Sequence, residues 1–257
     1  MNGVEKLKTK LANREKIHST MLAEWNNTRL PDLYKRRGLD FILIDLEHGA
    51  FFPESIGELG FACRIADIPL IARVQDCEYH CISKCIDMGA DGVMIPRTES
   101  FEQVETAIRS LRMPPYGKKG AGGRACLRPG ETLEEFNKNR LLFLQMESPK
   151  GIDLLDEILK RYGEQVAGII VGPNDLEAAM GYSTFNCPKP DDTYDNYIRK
   201  VIRVSRAHSK SVGIFLGDDA GIAKWHKEGM NIYWVGTEMS MLSAELRRVA
   251  NLIKGLE

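Results

Sequence analysis

Residues 141–176 read LLFLQMESPKGIDLLDEILKRYGEQVAGIIVGPNDL, and the alternation of apolar and polar positions in this stretch decides the fold. Two short apolar runs, 141–144 and 166–171, flank the helical-period segment PKGIDLLDEILKRYGEQ, which is the pattern of a strand–helix–strand unit in a parallel sheet. Each run leads to a carboxylate, Glu147 after the first and Asp175 just past Gly172-Pro173 after the second. Parallel strands run the same way, so both acids should emerge at one carboxyl edge, where α/β folds build their ligand sites. Two oxygen donors at one rim point to a hard divalent cation.

Working outward, apolar runs recur along the whole chain, at 17–22, 41–44, 70–74, 92–95, 141–144, 168–171, 212–216 and 232–235. Amphipathic segments such as PESIGELGFACRIADI, SFEQVETAIRSLRM, DNYIRKVIRVSRAHS and DDAGIAKWHKEG lie between them. Gly38, Gly89 and Gly229 each stand ahead of a strand, followed within two residues by Asp40, Asp91 or Asn231. A left-handed glycine closing a helix, then a short polar lead-in, explains this echo. Alternation on this scale, with no dinucleotide-type glycine fingerprint after the first strand, favours a single (β/α)8 barrel over residues 1–257 against an open doubly wound sheet. The opening MNGVEKLKTKLANREK reads as a short charged helix ahead of the barrel.

Composition excludes several function classes. With 35 basic against 36 acidic side chains and a formal net charge of −1, the chain offers no polyanion-binding stripe, so neither nucleic acid nor a membrane surface is an expected partner. No apolar run is long enough to span a bilayer and the start lacks a signal core, which predicts a cytoplasmic protein. Cys77, Cys81 and Cys85 recur every fourth residue beside His80, yet helical spacing alone does not converge on a tetrahedral metal site. They read as reduced cysteines packing a helix, and Cys63, Cys126 and Cys187 carry no separate role.

In a barrel, chemistry belongs to residues directly after the strands. The second strand delivers Asp45, Glu47 and His48, the third Arg73, the fourth Pro96 and Arg97, the fifth Gln145 and Glu147, the sixth Asp175, and the eighth Gly236-Thr237-Glu238. Glu147 or Asp175 alone would read as a first-turn acid facing a helix dipole. Together, after adjacent strands, they read as ligands for Mg²⁺ or Mn²⁺. Asp45, three residues before His48, could orient that ring as a catalytic base. Arg73 is either a rim ion-pair arginine or a clamp for a substrate carboxylate or developing enolate oxygen. The run GKKGAGGR lacks P-loop spacing and reads as a substrate-facing loop in which Lys118, Lys119 and Arg124 could meet an acidic substrate. No strand run contains a lysine, which argues against Schiff-base chemistry and for a metal-assisted enolate.

The ordered fragments IDLEHGAF, ARVQ, GADGVMIPRTES, MPPYGKKGAGGRA, QMESPKGIDLLDEI, GIIVGPNDLEAAMGY and WVGTEMSML resemble the HpcH/HpaI aldolases, class II pyruvate aldolases, over nearly the whole chain from residue 17. The resemblance implies a (β/α)8 barrel assembled as a homo-oligomer, often a hexamer, with the eighth helix exchanged between paired subunits. It implies Glu147 and Asp175 as ligands of a divalent cation (Mg²⁺, Mn²⁺ or Co²⁺) and His48 as the base. It assigns Asp45 to support that base, and Arg73 and Gln145 to the substrate. Backbone amides at Asn174 and Asp175 would hold the pyruvate carboxylate. Asp87 matches an acid that in some members faces a neighbouring subunit's site.

The implied reaction is reversible cleavage of a 4-hydroxy-2-oxo acid to pyruvate and an aldehyde. A citramalyl-CoA or malyl-CoA type lyase and a non-catalytic 2-oxo-acid-binding barrel are the alternatives. The chain departs from the family where the aldehyde portion would bind. Gly49-Ala50-Phe51-Phe52 is bulkier and more apolar than the usual continuation, and Lys119-Gly120-Ala121-Gly122-Gly123 replaces an arginine-containing loop.

Overall fold

The structure is a computed structural model and describes residues 1–123, 127–182, 189 and 191–256. Its strands are β1 (Ile17–Leu22), β2 (Phe41–Asp45), β3 (Leu70–Arg73), β4 (Gly92–Ile95), β5 (Leu141–Met146), β6 (Gly168–Val171), β7 (Ser211–Leu216) and β8 (Ile232–Thr237). They pair in parallel in chain order, and β8 returns to β1 to close the barrel. The expected (β/α)8 architecture is present, with every strand run in place. The ends differ slightly: β2 runs one residue further, to Asp45, Val74 falls past β3, β5 and β8 each run two residues further, and β7 begins at Ser211.

Side-chain alternation builds two apolar layers from one sheet. Phe41, Leu43, Ile71, Met94, Phe143, Ile170 and Trp234 point inward, where the Phe41 and Phe143 rings stack at 5.7 Å. Ile42, Ile44, Leu70, Val93, Leu144 and Ile169 point outward against the helices. Truncating a fully buried inner ring such as Phe143 to alanine would cost about 3–5 kcal/mol, lost contacts and cavity together. The opening helix α1 (Gly3–Ala12) starts at an Asn2–Glu5 capping box and inserts Val4, Leu7 and Leu11 into the inner layer, plugging the amino end of the barrel.

The helices around the sheet begin with α2 (Leu30–Arg36), α3 (Pro53–Ile65), α4 (Tyr79–Asp87) and α5 (Phe101–Leu111). They continue through the short α6 (Leu133–Asn139), then α7 (Pro149–Tyr162), α8 (Pro173–Ala179), α9 (Thr193–Ala207), α10 (Ala220–Glu228) and α11 (Glu238–Lys254). The glycine echo has the expected form: Gly38, Gly89 and Gly229 sit at φ +85°, +108° and +107°. The polar lead-ins do more than the sequence suggests. Asp40 accepts from the backbone N–H of His18 (2.9 Å), Asp91 from that of Leu70 (3.1 Å) and Asn231 from that of Val212 (3.0 Å). Each thereby satisfies a strand-start donor on the preceding strand. Cys63, Cys77, Cys81 and Cys85 are free thiols, and burial pushes the Cys77 and Cys85 thiols up to about 12. Cys126 and Cys187 lie outside the described residues. No helix among the described residues is long and apolar enough to cross a membrane.

Candidate active site

The inward phase of each strand carries beyond its apolar residues to the mouth. Counting by two from Leu43 reaches Asp45, from Ile71 reaches Arg73, and from Phe143 reaches Gln145 and Glu147. Asp45 and Arg73 are also register partners across β2 and β3. Arg73 donates from Nε to Asp45 Oδ1 at 2.8 Å and from Nη2 to Asp45 Oδ2 at 2.7 Å. Its Nη1 lies 3.2 Å from Glu47 Oε2. Burial alone pulls the Arg73 guanidinium down, but the bond and charge of Asp45, with Glu47 and Glu147, more than offset it, so the net direction is upward.

This pairing corrects the expected role of Asp45. Its Oδ1 accepts from the backbone N–H of Glu47 (3.0 Å) and of His48 (3.4 Å), not from the imidazole. The carboxylate nearest the His48 ring is Glu47, with 3.7 Å between Oε1 and Nε2. The physical reason is reach: Asp45 ends a strand facing the barrel axis, while His48 sits on the turn above it with a side chain 59% exposed. Burial pushes the Glu47 carboxyl up against the opposing pull of Arg73 and His48.

Glu147 is buried at the end of β5. Its Oε1 accepts from the backbone N–H of Arg97 at 2.6 Å, and its Oε2 accepts from Gln145 Nε2. Gln145 Oε1 is buried with no donor. Burial pushes the Glu147 carboxyl up to about 7 against the Arg97 N–H, and the nearby Asp175 and Glu47 charges add to the rise. Gly172 makes this crowding possible, because a Cβ there would collide with Glu147 Oε2 and Gln145 Nε2. Asp175 lies in the first turn of α8, with its Oδ1 3.6 Å from Arg97 Nη2.

A cavity of about 280 Å³ opens at this mouth and brings together Asp45, His48, Arg73, Gln145, Asn174 and Asp175, with the Phe215–Trp234 pair also on its wall. A smaller hollow of about 160 Å³ adjoins it, lined by Arg97, Glu147 and Asp175, so that Asp175 borders both. Every expected site residue is therefore in or beside one mouth. Among the described residues no group of three or more His, Cys, Asp and Glu side chains forms a ready-made metal cage. Two carboxylates in one hollow, beside a buried amide oxygen lacking a donor, still fit a hard cation that keeps several water ligands.

The sequence places Glu47 and Arg97 at the mouth but gives neither a role. Arg97 sits two residues past β4 with φ +45°, an uncommon left-handed conformation, and its N–H donates to Glu147. Its signal was its place after a strand. Lys118 and Lys119 of the glycine-rich loop do not line the cavity: Lys119 is buried in an ion pair with Asp87, and Lys118 lies 5.5 Å from the centre of the Tyr79 ring. Lys119 thereby binds Asp87 within the same chain. Arg124 lies outside the described residues.

Comparison with known proteins agrees with this fold. The family model for HpcH/HpaI aldolase/citrate lyase matches residues 19–244. The chain is 29% identical over 226 residues to the 5-keto-4-deoxy-D-glucarate aldolase of Escherichia coli (strain K12 / DH10B), covering 84% of each. A solved HpcH/HpaI aldolase from Desulfitobacterium hafniense DCB-2 superposes with a TM-score of 0.87 at 26% identity, covering 98% of this chain and 97% of the other. The citrate lyase beta subunit from M. tuberculosis, solved with oxaloacetate and magnesium, shares the fold at a TM-score of 0.55 and 15% identity, covering 87% of this chain and 92% of that one. The chain belongs to the HpcH/HpaI aldolase/citrate lyase family and is a carbon–carbon lyase.

Proposed function

We propose that the protein is a class II aldolase that reversibly cleaves a 4-hydroxy-2-oxo acid to pyruvate and an aldehyde. The observation that carries this reading is the convergence of His48, Arg73, Gln145, Asn174 and Asp175 on one cavity, with Glu147 in the adjoining hollow. Glu147 and Asp175 would hold a divalent cation. That ion supplies Lewis-acid polarisation of the 2-oxo group.

The remaining work falls to the chain itself. Arg73, held in place by Asp45 and Glu47, places positive charge where the C2 oxygen becomes an enolate as the C3–C4 bond breaks. The Asp45 fork occupies the Nε–Nη2 edge of the guanidinium, so the substrate meets a preorganised group. His48, steadied from the Glu47 side, takes the proton of the C4 hydroxyl in cleavage and returns it in condensation. The backbone amides of Asn174 and Asp175 receive the substrate carboxylate, and Gln145 fixes Glu147 from below. Protonation of the enolate at C3 completes pyruvate.

The test is pyruvate release from a panel of 4-hydroxy-2-oxo acids after chelation, then with Mg²⁺, Mn²⁺ or Co²⁺ restored. Metal-restored cleavage that disappears in Glu147→Ala and Asp175→Ala supports the reading. Wild-type rates in both variants would sink it, and a strict need for a CoA thioester would select the lyase alternative.

We also infer that the chain self-associates. Helix α11 exposes Leu242, Leu246, Val249, Leu252 and Ile253 to solvent, and only Glu238 of that helix is buried. A groove of about 620 Å³ beside β8 and β1, lined in part by Ile17, Ile222, Ala223 and Tyr233, offers apolar surface of the kind such a helix would cover in a second copy. Light scattering at micromolar protein should give a multiple of the 28.9 kDa chain mass. A monomer would overturn the inference.

A further inference from the structure

The amino end of the barrel, opposite the proposed active site, holds a second polar cavity of about 230 Å³. Barrel chemistry sits at the carboxyl end, so a charged cavity at the amino end needs its own account. Its wall includes Lys8 of α1, Arg112 at the end of α5, Lys138, Arg140 and Lys210, against Glu164 as the acid among its lining residues. Two of these cations are already compensated: Arg140 pairs with Glu131 at 2.9 Å and Lys138 with Glu134 at 2.5 Å. Lys8, Arg112 and Lys210 have no carboxylate within ion-pair distance among the described residues.

Their hydrogen bonds go to neutral groups. Arg112 donates from Nε to Asn137 O and from Nη2 to Gln165 O, each at 3.2 Å. Its Nη1 is buried with no partner, on a residue only 7% exposed. Lys8 Nζ donates to Lys138 O (2.8 Å) and Asn139 Oδ1 (3.0 Å), and Lys210 Nζ to Val166 O (3.1 Å). A guanidinium out of water with an idle N–H and no counter-charge is costly, unless an anion supplies both. Burial accordingly pulls the Arg112 guanidinium down to about 10 and lowers the Lys8 and Lys210 ammonium groups.

We propose that this cavity is a binding site for a small doubly charged oxyanion of the phosphate class. The idle Arg112 Nη1 supplies a directed donor, and the two lysines supply point charges around it. The volume suits an inorganic phosphate or a short phosphorylated metabolite, not a polymer. The bound anion would bridge α1 to the starts of β6 and β7, tying the plug helix to the barrel.

The probe is inorganic phosphate at constant ionic strength, with sodium chloride and succinate as comparators, read by calorimetry and thermal unfolding of the full-length protein. The expected result is saturable binding with a melting temperature that climbs with the logarithm of phosphate concentration. In Lys8→Met and Lys210→Met, affinity should fall about tenfold for each charge removed. Arg112→Met should abolish binding, and if that variant does not fold, the lysine variants decide the matter. No saturable response, or a response unchanged in the lysine variants, would overturn the site. Equal binding of succinate would overturn the phosphate class.

Discussion

Asp45 and Arg73 form a two-point ion pair across the register of β2 and β3, at 2.8 and 2.7 Å, with Arg73 only 5% and Asp45 only 1% exposed. Breaking one side of such a buried pair leaves an uncompensated charge, so Asp45→Ala should lower unfolding free energy by roughly 3–5 kcal/mol in chemical denaturation. Arg73→Lys keeps the charge but loses the fork, and kcat/KM should drop on the order of 10²-fold, with a stability loss smaller than that of Asp45→Ala. Equal activity of Arg73→Lys and wild type would remove the arginine from its proposed role.

Gly172 tests the crowded carboxylate from the other side. A methyl group at this position collides with Glu147 and Gln145, so Gly172→Ala should displace Glu147 and raise the metal concentration needed for half-maximal rate. The overpacking should also cost about 1–3 kcal/mol in stability. An unchanged metal requirement would mean that Glu147 is not a ligand.

Glu238 closes the barrel at its carboxyl end by accepting from the backbone N–H groups of Ala23 (3.0 Å), Glu24 (2.5 Å) and Trp25 (2.8 Å). Ala23 lines the active-site cavity, so the cap also shapes the pocket wall. Glu238→Gln, which loses the charge and one acceptor, should cost about 1.5–3 kcal/mol and raise KM more than it lowers kcat. A Tm equal to that of wild type would show the cap to be dispensable.

The raised Glu147 carboxyl fixes the sign of a pH effect in chelated protein. Its folded value of about 7 exceeds the ordinary glutamate value of 4.5, so the folded state binds the extra proton between these limits. Metal-free stability should therefore fall as pH rises from about 4.5 to about 7, by up to ~3 kcal/mol from this group. Urea midpoints across that window would show the slope, and Glu147→Gln should lack this component. An identical slope in the variant would assign the effect elsewhere.

The sequence by itself determined the eight strands, their parallel order and the placing of Asp45, Arg73, Gln145 and Glu147 at or just past strand ends. These are local properties: a strand is an apolar run, and a period of two residues decides which side chains face the axis. Only the tertiary structure decided which partners those side chains take. Asp45 goes to Arg73, 28 residues away, Glu147 takes the Arg97 N–H from 50 residues away, and Glu238 caps the β1 loop from 215 residues away at Ala23. Lys119, which reads as a substrate contact, is instead drawn inward by Asp87, 32 residues earlier. Such pairings depend on lateral strand register and on how far each turn lifts its residues above the sheet. Neither leaves a periodic trace in the chain, whereas both follow at once when the barrel closes.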